Sequence, residues 1–309
     1  MSGARLWAVT CFFNPQGYRR RVANFREFRA RLAAPLIAVE LAFDREFTLS
    51  DSDAERVVRV RGGDVMWQKE RLLNVGIGHL PAECEAVAML DCDIVFGRSD
   101  WPREAELALE RAHAVHLFRD AYFLRPGMER TLDNRGSSAQ RSCVAGFREG
   151  RGPAELLAAS GTDGRGAYSP GLAWAARREW LEEHGLFDRC VIGGGDTALA
   201  CALLGFPEVV ESRHRMNEAQ RHCYREWAEP LSARVGGDVA SLEGDLYHLW
   251  HGELADRRAA CRHQALAAHA FDPYADVAAD EHGAWRWASA KPEMHALLRR
   301  YFAERREDG

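Results

Sequence analysis

Apolar runs and helical apolar faces alternate along the first third of the chain. Strands are predicted from short apolar runs at residues 6–13, 35–43, 56–60 and 85–90, and helices from apolar spacing at residues 18–32 and 67–80. Asn14, Pro15 and Gly17 mark the turn after the first run. Strands that alternate with helices predict an α/β fold class, with a mostly parallel sheet flanked by helices.

The periodicity weakens over residues 125–166, which are rich in Gly, Arg and Ser. We interpret this stretch as an irregular loop region, of the kind that forms lids or binding loops. Order is predicted to return at residues 168–176, with helices at residues 178–184, 197–204 and 293–305. We expect a catalytic core over residues 1–235 and a mainly helical C-terminal extension over residues 236–309.

Composition is typical of a globular protein, since 309 residues with 47% hydrophobic side chains can bury a full core. A formal charge of -5 gives no general attraction for phosphate backbones, so we expect no nucleic-acid partner. The apolar run at residues 6–13 is too short to span a bilayer. We therefore expect a cytoplasmic protein with no transmembrane segment.

The eight cysteines are scattered along the chain without C-x-x-C pairs. This spacing argues against a zinc ribbon and against a dense disulfide framework. We expect reduced thiols that serve mostly as small core residues.

Two aspartates follow the strand predicted at residues 85–90. Asp91 and Asp93 are separated by one residue, so in extended backbone their side chains point the same way. Polar groups at the carboxyl end of a parallel strand lie where open α/β sheets bind ligands. Carboxylate oxygens suit Mn²⁺ or Mg²⁺ together with substrate phosphates. The pair is a candidate metal and diphosphate site, and the alternative is a solvated turn after the strand.

Three motifs give the chain a resemblance to a known family. Lys-Glu-Arg-Leu-Leu-Asn-Val-Gly-Ile at residues 69–77 precedes Asp91-Cys92-Asp93, and Ile-Gly-Gly-Gly-Asp follows at residues 192–196. In this order and spacing, the chain resembles the β-1,4-galactosyltransferase family and its bacterial relatives. The resemblance implies a twisted GT-A (Rossmann-like) sheet. It also implies transfer of a sugar from a nucleotide sugar, for which a UDP-sugar is expected. Inversion at the anomeric carbon is expected by the resemblance, and retention is the alternative because retaining enzymes share the fold.

The resemblance assigns roles in catalysis and metal binding. Asp196 corresponds to the catalytic base that deprotonates an acceptor hydroxyl, and its alternative role is to cap the helix after the glycine run. Asp93 corresponds to a metal ligand, and Asp91 to a contact with the metal or the ribose. Such enzymes complete the metal site with a C-terminal histidine, for which the chain offers His248 and His251, with His251 preferred.

Six further residues are expected to contact the donor by the same resemblance: Thr10, Asn14, Glu40, Lys69, Asn74 and Gly194. Glu40 would meet the nucleoside, and Lys69 would neutralise the diphosphate, with Arg71 as its competitor. Each has an ordinary structural alternative, such as a turn, a strand-end charge or a solvated helix charge. Trp67 and Trp174 are candidates for stacking on a sugar ring, with core packing as the alternative.

Two departures from the family pattern leave the acceptor open. Gly195 stands where the family has an acidic residue that grips its acceptor, and Ile192 stands where the family has an aromatic residue. We predict a glycosyltransferase that uses Mn²⁺ (or Mg²⁺), a UDP-sugar and an unidentified glycan, small-molecule or peptide acceptor. The alternatives are a catalytically silent nucleotide- or carbohydrate-binding module of this fold, and a sugar nucleotidyltransferase. The latter needs a Gly-rich basic loop that residues 14–17 do not supply.

Overall fold

The computed structural model describes residues 5–158, 166–258 and 261–309. The strands are β1 (Leu6–Phe13), β2 (Leu36–Leu41), β3 (Arg56–Val60), β4 (Ala86–Leu90), β5 (Ile94–Phe96), β6 (Ala114–His116), β7 (Asp120–Phe123), β8 (Ser138–Ser142), β9 (Tyr168–Ser169), β10 (Ala173–Arg177), β11 (Val239–Ser241), β12 (Asp245–His248), β13 (Val277–Ala279) and β14 (Trp285–Trp287). The helices are α1 (Arg19–Arg31), α2 (Lys69–Ile77), α3 (Trp101–Leu109), α4 (Cys143–Arg148), α5 (Pro153–Leu156), α6 (Arg178–His184), α7 (Gly195–Leu204), α8 (Glu208–Arg213), α9 (Glu218–Val235), α10 (Arg262–Ala267) and α11 (Pro292–Ala303).

A seven-stranded sheet runs through the centre in the order β11-β6-β10-β4-β1-β2-β3. The neighbours from β4 to β3 are parallel, as are β6 and β11, whereas β10 is antiparallel to both of its neighbours. The predicted α/β class with a mostly parallel sheet is therefore confirmed. The arrangement is consistent with the predicted GT-A fold.

Alternate residues of β1 enter two hydrophobic clusters on the two faces of this sheet. Val9 and Cys11 belong to one cluster, which also contains the apolar side of α2. Ala8 and Phe12 belong to the other, where Phe25 of α1 packs. Burial on both faces explains why the parallel strands appear in the sequence as apolar runs rather than as alternating patterns.

A second sheet of five strands, in the order β5-β12-β7-β8-β9, joins the core to the C-terminal extension. Its strand β12 pairs antiparallel with β5, so that His248 lies opposite Ile94. The backbone N–H of Leu249 then donates to the carbonyl of Asp93 at 2.8 Å. This pairing places the C-terminal end of β12 beside the turn that follows β4.

Two predicted regions differ from the structure. The stretch at residues 125–166 contains β8, α4 and α5, while residues 159–165 lie outside the described part. Its helix α4 buries small residues, Cys143 to Gly146, and is capped by the Ser142 hydroxyl, so its apolar periodicity is weak. The extension contains α10 and α11 but also four short strands, β11 to β14, which its helical pattern did not indicate.

All eight cysteines lie in the described part and have free thiols, and six of them are buried. The prediction of reduced core thiols is confirmed. Within the described ranges, no helix combines the length and the apolar character that crossing a bilayer would require.

Candidate active site

A cavity of about 240 Å³ lies where β1 and β4 end. Seven predicted site residues line it: Lys69, Asp91, Asp93, Gly194, Asp196, His248 and His251. A larger groove of about 950 Å³ runs along β11 and is lined mainly by arginine and glutamate side chains. That groove contains none of the predicted site residues, so the chemistry points to the smaller cavity.

Lys69 joins two of the predicted carboxylates. It is the first residue of α2, and its Nζ lies 2.5 Å from Asp91 Oδ1 and 2.7 Å from Asp196 Oδ1. Burial lowers the pKa of Lys69, but attraction by Asp196 and Asp91 outweighs it, and the pKa lies well above its ordinary value. Lys69 is therefore a fixed positive charge between the two aspartates.

Asp91 is supported by a strained turn. Its backbone N–H donates to the carbonyl of Leu172 at 2.9 Å, and Leu172 has φ 76°, a left-handed conformation that is uncommon for a non-glycine residue. Burial raises the pKa of Asp91 to about 6, while Lys69 opposes this rise and Asp196 adds to it. The side chain pairs with Lys69, and the structure does not place Asp91 in the metal-ligand cluster that contains Asp93.

Asp196 lies in the first turn of α7, whose N-cap is Gly194 with φ 103°. The alternative that Asp196 itself caps this helix is therefore wrong. Its carboxylate lies over Gly171, where a Cβ would stand 2.5 Å from Asp196 Cγ. The side chain is 34% exposed, so it is accessible from the cavity.

Asp93, His248 and His251 form a compact cluster whose ligand atoms all lie within 4.8 Å of one another. Asp93 Oδ2 is 3.0 Å from His251 Nε2, and Asp93 Oδ1 is 3.8 Å from His248 Nε2. The structure thus brings both candidate histidines, rather than one of them, to the aspartate. Burial opposes ionisation of Asp93, but the two histidines outweigh it and hold the pKa of Asp93 well below its ordinary value.

This cluster fits a divalent cation. Asp93 Oδ1 is buried and makes no hydrogen bond, which is rare for a carboxylate oxygen in a folded protein. Both imidazoles are buried beside it. One carboxylate and two imidazoles are a common donor set for transition-metal ions.

Four predicted donor contacts do not reach the cavity: Thr10, Asn14, Glu40 and Asn74. The Thr10 hydroxyl is buried and donates to the carbonyl of Leu90 at 2.7 Å, which links β1 to β4. Glu40 is also buried, and it accepts from the backbone N–H groups of Thr48 and Leu49 at 2.5 and 2.9 Å. Burial raises the pKa of Glu40, and these hydrogen bonds reduce the rise.

The two asparagines likewise bind backbone. Asn14 exchanges two hydrogen bonds of 2.9 Å with the backbone of Tyr18, at the start of α1. Asn74 donates to the carbonyl of Leu186 at 2.9 Å and accepts from its N–H at 2.8 Å, which fastens α2 to the loop after α6. For all four residues the structural alternative describes the observed contacts, and a contact with the donor stays a prediction.

Of the three remaining candidates, only one lines the cavity. Trp174 is buried and its indole donates to the carbonyl of Pro170, so it is a core residue. Arg71 pairs with Asp188 at 3.3 Å, away from the cavity. Trp67 does line the cavity, and its ring is stacked on that of Phe302 at 6.2 Å between centroids.

Several polar residues around the cavity were not predicted. Four arginines line it: Arg21, Arg257, Arg262 and Arg305. Arg21 comes from α1 and the other three come from the extension, in a chain with many arginines, so no local motif marks them.

Glu70 explains the glycine that departs from the family pattern. A Cβ on Gly195 would collide with the buried carboxyl group of Glu70, which therefore fills the space that a larger residue would need. Burial is the main reason that the pKa of Glu70 rises to about 8, with Lys69 opposing the rise and Asp196 adding to it. Its Oε1 makes no hydrogen bond.

No family model and no curated protein matches the sequence of the chain. Several solved structures are similar to it in structure. Staphylococcus aureus TarS 1-349 in complex with UDP-GlcNAc matches at 9% identity and TM-score 0.37, over 63% of this chain and 52% of that chain. A Drosophila beta-1,4-galactosyltransferase 7 in complex with manganese, UDP-Gal and xylobiose matches at 13% identity and TM-score 0.32, over 63% and 59%. The 4-diphosphocytidyl-2C-methyl-D-erythritol synthase of Anaerococcus prevotii matches at 10% identity and TM-score 0.32, over 77% and 86%.

The first two of these proteins are GT-A glycosyltransferases, the class that the sequence resembles. The match spans about half of TarS 1-349 and 59% of the galactosyltransferase. With TM-scores below 0.5, these likenesses say nothing about the substrates of this chain.

Proposed function

We propose that this chain is a metal-dependent GT-A glycosyltransferase that transfers a sugar from a UDP-sugar to an acceptor hydroxyl. One observation carries the proposal: a single cavity contains both the Asp91–Lys69–Asp196 chain of ion pairs and the Asp93–His248–His251 cluster. A base and a cation site in one cavity meet the two needs of glycosyl transfer, which are proton removal and stabilisation of a diphosphate leaving group.

Asp93, His248 and His251 would hold the metal. Two imidazoles in the donor set favour Mn²⁺ over Mg²⁺, which prefers oxygen ligands and keeps several waters. When bound, the cation supplies positive charge that stabilises the diphosphate leaving group. In this proposal residues 1–235 form the catalytic core, and residues 236–309 complete its metal site through the two histidines.

Asp196 acts as the base. Its carboxylate accepts the proton of the acceptor hydroxyl as the hydroxyl oxygen bonds to the anomeric carbon, and the bond from that carbon to the diphosphate oxygen breaks. Lys69 holds Oδ1 of Asp196 at 2.7 Å, which leaves Oδ2 for the proton. Attack from the face opposite the diphosphate gives inversion at the anomeric carbon.

The four arginines around the cavity provide the charge that a diphosphate requires. Lys69 is already shared between two aspartates, and Arg21 and Arg305 already pair with Glu307, so Arg257 and Arg262 are better placed to neutralise the donor. This changes the role expected for Lys69 from a phosphate ligand to the residue that orients Asp196. A cytoplasmic location remains part of the proposal.

Thermal unfolding with nucleotides tests the donor and the metal together. UDP, GDP, CDP and dTDP are each added with Mn²⁺ or with a chelator, and a ligand at 100 times its dissociation constant adds about 2.7 kcal/mol to the stability of the folded state. We expect UDP to raise the Tm by several degrees only when Mn²⁺ is present. If no nucleotide raises the Tm in any metal condition, a silent module of this fold replaces the proposal.

Asp196→Asn separates binding from chemistry. The substitution keeps the size of the side chain but removes the base, so UDP release from a UDP-sugar should fall by about 10²- to 10⁴-fold. The Tm increase with UDP and Mn²⁺ should remain. Asp238→Asn is the matched control, because Asp238 is exposed and lines the larger groove rather than this cavity. Normal turnover by the Asp196 variant would refute the base assignment, and turnover that makes a nucleotide sugar from a sugar phosphate would favour a nucleotidyltransferase.

A further inference from the structure

Residues 304–308 lie directly against the metal-ligand cluster. Gly252 follows His251 with φ 80°, and a Cβ there would stand 2.8 Å from the carbonyl oxygen of Arg306 and 3.0 Å from Glu307 Cα. On the other side, the Asp308 carboxylate accepts from the backbone N–H groups of Arg19 and Arg20 at 3.2 and 2.8 Å, at the start of α1. The segment is thus held between α1 and the residue that follows His251.

Glu307 is the buried carboxylate of this segment, with a side chain 3% exposed. Its Oε2 lies 3.1 Å from a guanidinium nitrogen of Arg21, and its Oε1 lies 2.5 Å from Nε of Arg305. Its Oε1 also faces Nδ1 of His251 at 3.4 Å. The guanidinium groups of Arg21 and Arg305 offset the cost of burying the Glu307 charge. The contact with His251 is therefore not needed to compensate that charge.

The two ring nitrogens of His251 have different partners. Its Nε2 lies 2.9 Å from a guanidinium nitrogen of Arg257, which can only donate, and 3.0 Å from Asp93 Oδ2. A cation held by Nε2 would use the lone pair of that nitrogen, and the ring proton would then lie on Nδ1. Nδ1 is buried and makes no hydrogen bond of normal geometry, and it faces the Glu307 carboxylate.

We propose that Glu307 is a positioning residue of the metal site, whose carboxylate accepts the Nδ1–H of His251 and so directs Nε2 toward the cation. This inference rests on the proposed function, because it assumes that Asp93, His248 and His251 bind a metal. A histidine that binds a metal almost always donates its other N–H to such a partner, which fixes the ring and makes the ligand more basic. In this chain that partner comes from a residue far from the metal motif in sequence.

The test is Mn²⁺ affinity, measured by calorimetry on the full chain, together with the visible absorption spectrum of the Co²⁺-loaded protein. Glu307→Gln keeps the size of the side chain and removes the negative acceptor. We expect its Mn²⁺ affinity to fall by about 10- to 100-fold and its Co²⁺ spectrum to change. Glu307→Asp keeps the negative charge but withdraws it from His251, so it should show the same loss of Mn²⁺ affinity. This variant provides the test if Glu307→Gln does not fold.

Two controls distinguish positioning from simple docking of the segment. Asp308→Asn weakens the contact with α1 without touching His251, and Glu304→Gln removes an exposed pair with Arg258. Both should bind Mn²⁺ as the unmodified chain does. Unchanged Mn²⁺ affinity in both Glu307 variants, or an equal loss in Asp308→Asn, would overturn the inference. If the unmodified chain binds no Mn²⁺, the proposed metal site fails first.

Discussion

Two groups of predicted site residues have different partners in the structure. The first group binds backbone near its own position: Thr10, Asn14, Glu40 and Asn74. The second group lines the cavity and contacts other side chains: Asp93, Asp196, His248 and His251. Both groups contain carboxylates, so residue type alone does not separate them.

The difference lies in unsatisfied bonding capacity. Each oxygen of Glu40 already accepts a backbone N–H, so the buried carboxylate is hydrogen-bonded within the fold. Asp93 keeps a buried Oδ1 without a hydrogen bond, and Glu70 keeps a buried Oε1 in the same condition. Because buried polar atoms are normally paired, such atoms mark the places where an additional group is expected.

The largest expected effect is on the cavity group. Asp93→Asn should lower Mn²⁺ affinity by more than about 100-fold, because it removes a metal ligand and not only a residue that positions a ligand. Calorimetric titration with Mn²⁺ measures the loss. The control is Asp91→Asn, whose carboxylate pairs with Lys69 and which should lose less affinity. Equal losses in the two variants would return Asp91 to the metal site.

The next effect concerns the backbone-binding group. Glu40→Ala leaves the N–H groups of Thr48 and Leu49 without their acceptors, so the free energy of unfolding should fall by about 2–3 kcal/mol. Mn²⁺ affinity should not change. Urea unfolding and the same calorimetric titration measure the two quantities, with exposed Glu46→Ala as the matched control. A large loss of nucleotide-dependent stabilisation, without loss of stability, would place Glu40 back among the donor contacts.

The smallest expected effect is a dependence of the Tm on pH, which is caused by the buried carboxyl group of Glu70. An unfolded glutamate has a pKa of 4.5, and burial raises the pKa of Glu70 to about 8 in the folded state. The stability that protonated Glu70 contributes is therefore fully present below pH 4.5 and is lost as the pH rises through about 8. Compared with Glu70→Gln, the unmodified chain should lose several degrees of Tm between pH 5 and pH 9.

That comparison is made in the presence of a chelator, so that metal binding does not contribute. Exposed Glu83→Gln should instead follow the unmodified chain at every pH. A constant difference in Tm between the Glu70 variant and the unmodified chain would show that Glu70 is ionised throughout this range.

The sequence predicted the layered core well. Residues 6–13 were expected as a strand, and β1 covers Leu6–Phe13; residues 178–184 were expected as a helix, and α6 covers Arg178–His184. Both patterns are local, because a strand buried on both faces needs a continuous apolar run and a helix needs apolar spacing. Helix α4 was missed because small residues fill its buried side and leave almost no apolar period.

By itself, the sequence determined the fold class and the residue types at the candidate site, since these depend on apolar period and on motifs within short segments. The tertiary structure decided the partners. Lys69 meets Asp196 across 127 positions, and Arg21 meets Glu307 across 286. Such contacts depend on the order of the strands and on the pairing of β12 with β5, which carries the extension to Asp93. Local periodicity does not predict that pairing, because it indicates which face of an element is buried but not which element packs against that face.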